Sequence, residues 1–139
     1  MTKPTRLFFD TCFFIDWFQG KIEAPPDLTP AGPVLIVGNA LVLMELYQGA
    51  RSAGEAEEIG RIEKSHDLIA PSLQNYLDAG PILKRMTESG WLSSKRLYET
   101  QNDVLLALSA VENKSYIVTR NKKDFERIKR FCPAEVLYY

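Results

Sequence analysis

Short apolar runs alternate with helical patterns along almost the entire sequence. Five runs have the length and composition of β-strands, at residues 6–9, 34–37, 67–70, 115–119 and 135–138. Helical periodicity occupies residues 11–19, 40–48, 52–64, 72–89, 102–111 and 122–130. Strands that are separated by helices form a mainly parallel sheet whose two faces are both covered. The pattern therefore predicts an α/β fold, in which ligands gather at the carboxyl ends of the strands.

Three of these segments carry more specific expectations. The composition of residues 34–37 is typical of a buried parallel strand. Gly80 and Pro81 interrupt the pattern at 72–89 and predict two shorter helices there. The stretch 21–33 is rich in Pro and Gly and is expected to be a surface connection.

Length and charge limit the class of protein. A chain of 139 residues with 45% hydrophobic residues suits a single domain, 1–139. Its formal net charge of -1 argues against a strongly basic nucleic-acid binder, so any site for a polyanion has to be local. Neither a signal peptide nor an apolar run of membrane-spanning length is evident, and we expect a cytoplasmic protein without membrane contact.

Cysteine and histidine are too sparse for several kinds of site. Cys12 and Cys132 lie far apart and neither belongs to a CxxC pair, so zinc and disulfide frameworks are poorly supported. His66 is the only histidine, which leaves little material for a Ser-His-Asp triad.

Four acidic residues occupy positions next to apolar strands and helices, where a charged side chain usually needs a partner. Asp10 ends the first strand, Glu45 interrupts an apolar helix, Asp103 opens another, and Asp124 follows the strand that ends at Thr119. If the sheet brings these carboxylates to one edge, their repulsion favours binding of divalent cations. An all-oxygen site selects magnesium or manganese, and such ions can activate water for phosphodiester hydrolysis.

Each of these acids also has a structural interpretation. Asp10 can cap the first helix, and Asn121 and Asp124 have the spacing of a capping box. Asp103 suits the first turn of any helix through the macrodipole. Asp16, in the middle of the first helix, is expected on its wetter side with a structural or peripheral role.

Taken together, four blocks resemble the signature motifs of PIN-domain ribonucleases, and most of all those of the VapC-type toxins of prokaryotic toxin–antitoxin pairs. The blocks are LFFDTCFFID at 7–16, MELYQGA at 44–50, NDVLLA at 102–107 and VTRNKKDF at 118–125. Their order and spacing cover nearly the whole chain.

This resemblance implies a three-layer α/β/α sandwich with Mg²⁺- or Mn²⁺-dependent endoribonuclease activity, a small inhibitory antitoxin and a homodimer. By position, the family's metal-binding and catalytic acids match Asp10, Glu45, Asp103 and the more variable Asp124, and its supporting polar positions match Thr119 and Asn121. Cys12 departs from the family, which often has asparagine there, and this puts hydrogen bonding at that position in doubt.

RNA contacts are expected from basic residues near Asp124. The candidates are Arg120, Lys122, Lys123 and Arg127, followed by Lys129 and Arg130, with Arg51, Lys95 and Arg96 elsewhere. Such residues would contact the RNA backbone without reading sequence, although a solvated helix face explains them equally well. Apolar surface near residues 17–20 and 46–64 suits an antitoxin helix in a groove.

Two alternatives stay open. A PIN-domain nuclease can serve RNA processing without an antitoxin, and a catalytically silent PIN-like module can bind without cleaving. A phosphatase of the haloacid dehalogenase type is disfavoured because Asp10 has no second aspartate two residues later, and a Rossmann domain because no GxGxxG follows the first strand.

Overall fold

A computed structural model of the chain describes residues 3–22, 32–92 and 96–139. Within these ranges the strands are β1 (Thr5–Phe9), β2 (Val34–Ile36), β3 (Gly38–Asn39), β4 (Leu68–Ile69), β5 (Ser115–Thr119) and β6 (Val136–Tyr138). The helices are α1 (Thr11–Phe18), α2 (Ala40–Gly49), α3 (Ala53–Ser65), α4 (Leu73–Glu88), α5 (Leu97–Glu112) and α6 (Lys122–Ile128). Most of the connection predicted at 21–33 lies outside the described residues.

The main sheet has four strands in the order β2-β1-β5-β6, and every neighbouring pair is parallel. In its centre, Phe8 of β1 lies opposite Ile117 of β5. A second, smaller parallel pair joins β3 to β4. The predicted α/β class with a mainly parallel sheet is confirmed.

The alternation of side chains along the central strands buries both faces of the sheet. Phe8 and Ile117 belong to the larger core, which the helices from α2 to α6 share. Leu7 and Val118, one position away, point to the other face and pack with Phe13 of α1. Helices on both faces make the predicted α/β/α sandwich.

Of the residues predicted to form a buried strand at 34–37, Val37 is buried at 2% exposure but the three residues of β2 are exposed. Val34, Leu35 and Ile36 are 40%, 40% and 37% exposed. The reason is that, in the part of the chain that the structure describes, β2 is the outermost strand of the sheet and pairs with β1 alone. Apolar composition predicted a strand correctly but could not tell an edge strand from a central one.

The helix predicted to break at Gly80 and Pro81 is continuous. α4 runs for 16 residues with Pro81 inside it. Proline cannot donate a hydrogen bond to the carbonyl of Leu77, but Leu77 and Pro81 are both exposed, so water can reach this part of the backbone. The opposite face packs Ile82 and Met86 into the core, and this packing holds the helix together.

Helix α5 begins earlier than the apolar pattern predicted. It starts at Leu97, so Asp103 lies in its second turn and is not placed to interact with the free N–H groups of the first. Asn39, at the start of α2, makes two side-chain hydrogen bonds. It donates through Nδ2 to Ser109 Oγ of α5 at 3.1 Å, which joins the two helices, and its Oδ1 caps α2 by accepting from the Leu41 N–H at 3.1 Å. The predicted N-cap at Asn39 is confirmed.

Candidate active site

Asp10 occupies the junction between β1 and α1. Its backbone N–H continues the sheet by donating to the Val118 carbonyl, and its Oδ1 caps α1 by accepting from the Thr11 N–H at 2.8 Å. Its Oδ2 accepts a hydrogen bond from the hydroxyl of Thr119, also at 2.8 Å. The residue is only 4% exposed. The capping and site interpretations of Asp10 are therefore compatible, because different oxygens serve them.

Thr119, Asn121 and Cys12 surround this carboxyl. The Thr119 hydroxyl accepts from the Asn121 N–H at 3.1 Å while it donates to Asp10. Cys12 Sγ lies 3.4 Å from Thr119 Oγ1 and 3.8 Å from Asp10 Oδ2. The thiol thus stays within reach of both groups, and the two polar residues predicted to support the site are next to Asp10.

Glu45 approaches the same region from α2. Its Oε1 is buried without a hydrogen-bond partner among the described residues, as is the hydroxyl oxygen of Thr11. A buried carboxylate oxygen without a partner is costly. A cation is the kind of partner that would relieve this cost.

The electrostatics show that the acids face one another. The pKa of Asp103 is raised well above its usual value, first by burial and then by the charges of Asp10, Glu45, Asp124 and Glu99. The pKa of Glu45 is raised by burial and then by the charge of Asp10. Burial also raises the pKa of Asp10, against the hydrogen bonds that it accepts. The fold therefore brings the carboxyl group of Asp103 within electrostatic reach of Asp10, Glu45 and Asp124.

Asp124 does not cap α6 as its spacing suggested. Asn121, the residue before the helix, makes no side-chain capping bond. Asp124 Oδ2 instead accepts from Arg96 Nη2 at 2.7 Å, and Arg96 Nε lies 3.4 Å from Glu99 Oε2. This long-range ion pair competes successfully with local capping.

Glu99 was not among the predicted site residues. It lies four residues before Asp103 on α5, so the two share one helix face. Once the helix is extended back to Leu97, this i,i+4 spacing is the signal that identifies Glu99. The early pattern boundary at Asn102 concealed it.

The donor set fits a hard divalent cation, although the site is not a preformed cage. Within residues 3–22, 32–92 and 96–139, no three Asp, Glu, His or Cys side chains are grouped closely enough to hold a metal ion. The carboxylate and hydroxyl oxygens of the site are the ligands that Mg²⁺ and Mn²⁺ prefer, and the Cys12 thiol lies beside them. The unpaired Glu45 Oε1 leaves one such ligand available.

Asp16 is buried and does not lie on the solvent-exposed face of α1 as predicted. It is 3% exposed, and Arg120 Nη1 donates to both of its carboxylate oxygens, at 2.5 and 2.6 Å. The prediction missed this because the partner lies 104 residues away. The structural role expected for Asp16 agrees with this ion pair.

The predicted basic group divides into separate contacts. Arg120 pairs with Asp16, Lys122 lies over the Tyr138 ring, and Arg127 and Arg130 lie over the Trp91 ring. Lys129 pairs with Glu126 on its own helix, and Lys123 is exposed. Lys95 lies outside the described residues.

A groove adjoins Glu45 on the surface predicted for an antitoxin helix. It has a volume of about 280 Å³ and lies between α1, α2 and α3. Its lining residues are Ile15, Phe18, Gln19, Glu45, Leu46, Gly49, Ala50, Arg51, Glu55 and Ile59. The lining of the groove thus combines apolar residues with the charged residues Glu45, Arg51 and Glu55.

A parallel sheet between two helical layers, with acidic side chains gathered where β1 and β5 end, defines a PIN-like α/β fold. No protein-family model matches the sequence, and no curated protein matches it. Solved structures do match. Among them are VapBC2 from Rickettsia felis bound to a DNA fragment from its promoter, VapBC-1 from nontypeable Haemophilus influenzae, and VapBC-5 from Mycobacterium tuberculosis, a member of the VapBC family of toxin-antitoxin systems.

Each likeness spans nearly the whole of both chains at low identity. The R. felis match has a TM-score of 0.70 and 18% identity and covers 97% of this chain and 99% of the other. The H. influenzae match has a TM-score of 0.70, 18% identity and coverage of 96% and 98%. The M. tuberculosis match has a TM-score of 0.66, 18% identity and coverage of 98% and 100%. The chain has the fold of a VapC-type PIN protein, as the sequence motifs predicted.

No helix among the described residues is both long and apolar enough to cross a membrane.

Proposed function

We propose that this protein is a divalent-metal-dependent endoribonuclease and acts in the cytoplasm as the toxin of a type II toxin–antitoxin pair. The observation that carries the proposal is the mutual electrostatic effect of the acids, because the charges of Asp10, Glu45 and Asp124 all raise the pKa of Asp103. Such a concentration of negative charge is unfavourable without a cation. Acidic residues with strongly shifted pKa values are commonly found in enzyme active sites.

Mg²⁺ or Mn²⁺ would be held by Asp10, Glu45, Asp103 and Asp124. When bound, the ion would supply charge stabilisation and an acidified water for phosphodiester hydrolysis. Among the described residues no three acidic side chains are grouped closely enough to hold the ion as they stand, so binding would require the carboxyl groups to move closer together. Thr119 would keep Asp10 in a fixed orientation through its 2.8 Å hydrogen bond.

An antitoxin partner is supported by the structural neighbours, which are VapBC complexes. The groove between α1, α2 and α3 has apolar lining residues of the kind that bind an amphipathic helix, and Glu45 is part of the same lining. A partner that binds there would cover one of the proposed metal ligands. A homodimer is also part of this proposal, and sedimentation velocity on the purified protein would test it.

RNA cleavage with matched variants tests the activity. We expect purified protein to cut single-stranded RNA with Mg²⁺ or Mn²⁺, and we expect EDTA or Asp103→Asn to abolish cleavage. The control is Asp67→Asn, which removes one negative charge from an exposed residue in the connection between α3 and β4. Its activity should equal that of the parent protein.

Calorimetric titration with Mn²⁺ measures the site independently of turnover. Binding should be lost in Asp103→Asn and retained in Asp67→Asn. Cleavage that persists in EDTA, or full activity in Asp103→Asn, would refute the proposed mechanism. If Mn²⁺ binds but RNA is not cut, the silent binding module becomes the better interpretation.

A search for a small reading frame next to this gene would distinguish the toxin hypothesis from the hypothesis of an RNA-processing nuclease. Co-expression of its product should yield a stable complex and suppress cleavage. Substitution of Ile15→Asp, at a residue that lines the groove and is 40% exposed, should weaken that complex. If no neighbouring product binds, the RNA-processing alternative is favoured.

A further inference from the structure

We propose that a cluster of arginines beside Asp124 is the subsite that binds an RNA phosphodiester next to the metal ligands. The cluster, called the arginine subsite below, consists of Trp91, Arg96, Arg127 and Arg130. This inference rests on the proposed nuclease function and adds to it the residues that hold the RNA backbone. The sequence named Arg127 and Arg130 as candidates for RNA contact beside Asp124, and Arg96 as a further candidate.

A narrow cleft joins the arginine subsite to the acids. Trp91, Arg96 and Arg127 line it together with Asp103 and Asp124. Its volume is about 20 Å³, which is space for roughly one water molecule. A phosphate oxygen fits such a space and a nucleobase does not, so the cleft suits recognition of the RNA backbone.

Trp91 holds two guanidinium groups, that of Arg127, which lines the cleft, and that of Arg130, which contacts the same ring. The Cζ atoms of Arg130 and Arg127 lie 5.0 and 5.9 Å from the centre of its ring. Phe131 contacts the same ring edge to face, with centroids 5.8 Å apart. Cation–π contact restricts the two arginine side chains before any ligand arrives, and this lowers the entropic cost of binding a phosphate.

Arg96 connects the subsite to the metal ligands. Its guanidinium donates to Asp124 Oδ2 at 2.7 Å, and its side chain is 51% exposed. A divalent cation at Asp124 would compete with this ion pair. The Nη1 group of Arg96 is engaged by neither Asp124 nor Glu99, so it would donate to the phosphate with or without the cation, and the planar guanidinium is well suited to this contact.

RNA binding without cleavage provides the first test. In the Asp103→Asn background, the affinity for a labelled single-stranded RNA is measured by fluorescence anisotropy over a range of salt concentrations. The logarithm of the RNA association constant falls as the logarithm of the salt concentration rises. Loss of one phosphate contact should make this negative slope shallower by about 0.7 and should weaken binding about fivefold at 0.1 M salt. We expect these changes in Arg96→Gln and in Arg130→Gln.

Arg61→Gln is the matched control. Arg61 is an exposed arginine on α3 that pairs with Glu58 on its own helix, so the variant loses the same charge without touching the arginine subsite. Its slope and affinity should equal those of the background protein. Arg96→Lys, which retains the charge, should restore most of the slope that Arg96→Gln loses.

Mn²⁺ affinity, measured by calorimetry in the otherwise unmodified protein, separates the role of Arg96 from a merely structural one. Arg96→Gln releases Asp124 from an exposed ion pair and should tighten Mn²⁺ binding about two- to fivefold. Arg130→Gln, whose side chain stacks on Trp91, should leave it unchanged. Thermal unfolding of each variant shows whether it is folded.

The outcomes distinguish this inference from the proposed function. If the protein cleaves RNA but Arg96→Gln and Arg130→Gln keep the parental salt slope, the arginine subsite is wrong and the nuclease stands. If it binds RNA through these arginines but does not cleave, the nuclease is wrong and the subsite stands. If it neither binds nor cleaves RNA, both are overturned.

Discussion

Arg120 binds both carboxylate oxygens of Asp16 through a single guanidinium nitrogen, at 2.5 and 2.6 Å. The contact ties α1 to the segment that follows β5. Tyr139, the last residue, donates its hydroxyl to the same carboxylate at 3.1 Å. The carboxylate is almost fully buried, whereas the arginine side chain is 46% exposed.

This asymmetry predicts different costs for removing either partner. Arg120→Ala leaves a buried carboxylate without its cation and should lower the free energy of unfolding by about 2–4 kcal/mol. Asp16→Asn leaves an arginine that can turn to water, and should cost only about 1–2 kcal/mol. Urea unfolding at pH 7 measures both. An equal or larger loss in Asp16→Asn would contradict the assignment of Asp16 as the desolvated partner.

The raised pKa values predict that the acids destabilise the metal-free protein at neutral pH. The pKa values of Asp10, Glu45 and Asp103 are all higher in the folded chain than the usual values. Their contribution to stability is therefore fully present below the unfolded pKa of about 4 and is lost as the pH rises through the folded values. Neutral pH leaves mutually repelling charges in the site.

Asp103→Asn removes the group on which the other charges act, so it should be more stable than the parent protein at pH 7.5 in EDTA. The difference should shrink towards pH 4.5, where the parent carboxyl is protonated. Urea unfolding of both proteins across this pH range tests the prediction, with Asp67→Asn as the charge-matched reference. A constant difference at all pH values would show that the effect is not electrostatic.

The hydrogen bond from Thr119 to Asp10 predicts an effect on metal affinity. Thr119→Val keeps the shape of the side chain but removes the donor 2.8 Å from Asp10 Oδ2. Groups that orient a metal ligand typically change metal affinity by 10–100-fold, and we expect Mn²⁺ binding to weaken about tenfold. Thr5→Val, at the far end of β1, is the control. Unchanged affinity in Thr119→Val would remove this residue from the site.

Helix α4 should become more stable when its helix breakers are replaced. Gly80 has open space around the position of a Cβ atom, so Gly80→Ala should add about 0.5–1 kcal/mol. Pro81→Ala restores an N–H donor within the helix and should add about 1–2 kcal/mol. Thermal unfolding measures both. A loss of stability in Pro81→Ala would mean that the packing of Ile82 and Met86 depends on a proline-induced bend.

The sequence by itself determined the features that depend on neighbouring residues. Strand and helix type follow from hydrophobic period, and the cap at Asn39 follows from an amide side chain at the start of a periodic segment. The placement of Asp10 at the end of a parallel strand also followed, because strand and acid are adjacent in the chain. These features are local, and a window of several residues contains the interactions that produce them.

The tertiary structure alone decided which groups are buried and which groups pair. It placed β2 at the edge of the sheet, kept α4 continuous across Pro81, buried Asp16 against Arg120, and turned Asp124 from capping towards Arg96. The partners in these last two contacts are 104 and 28 residues apart. Burial and ion pairing depend on the distance between side chains in space, and for residues so far apart in the chain that distance is set only when the sheet and its helices pack together.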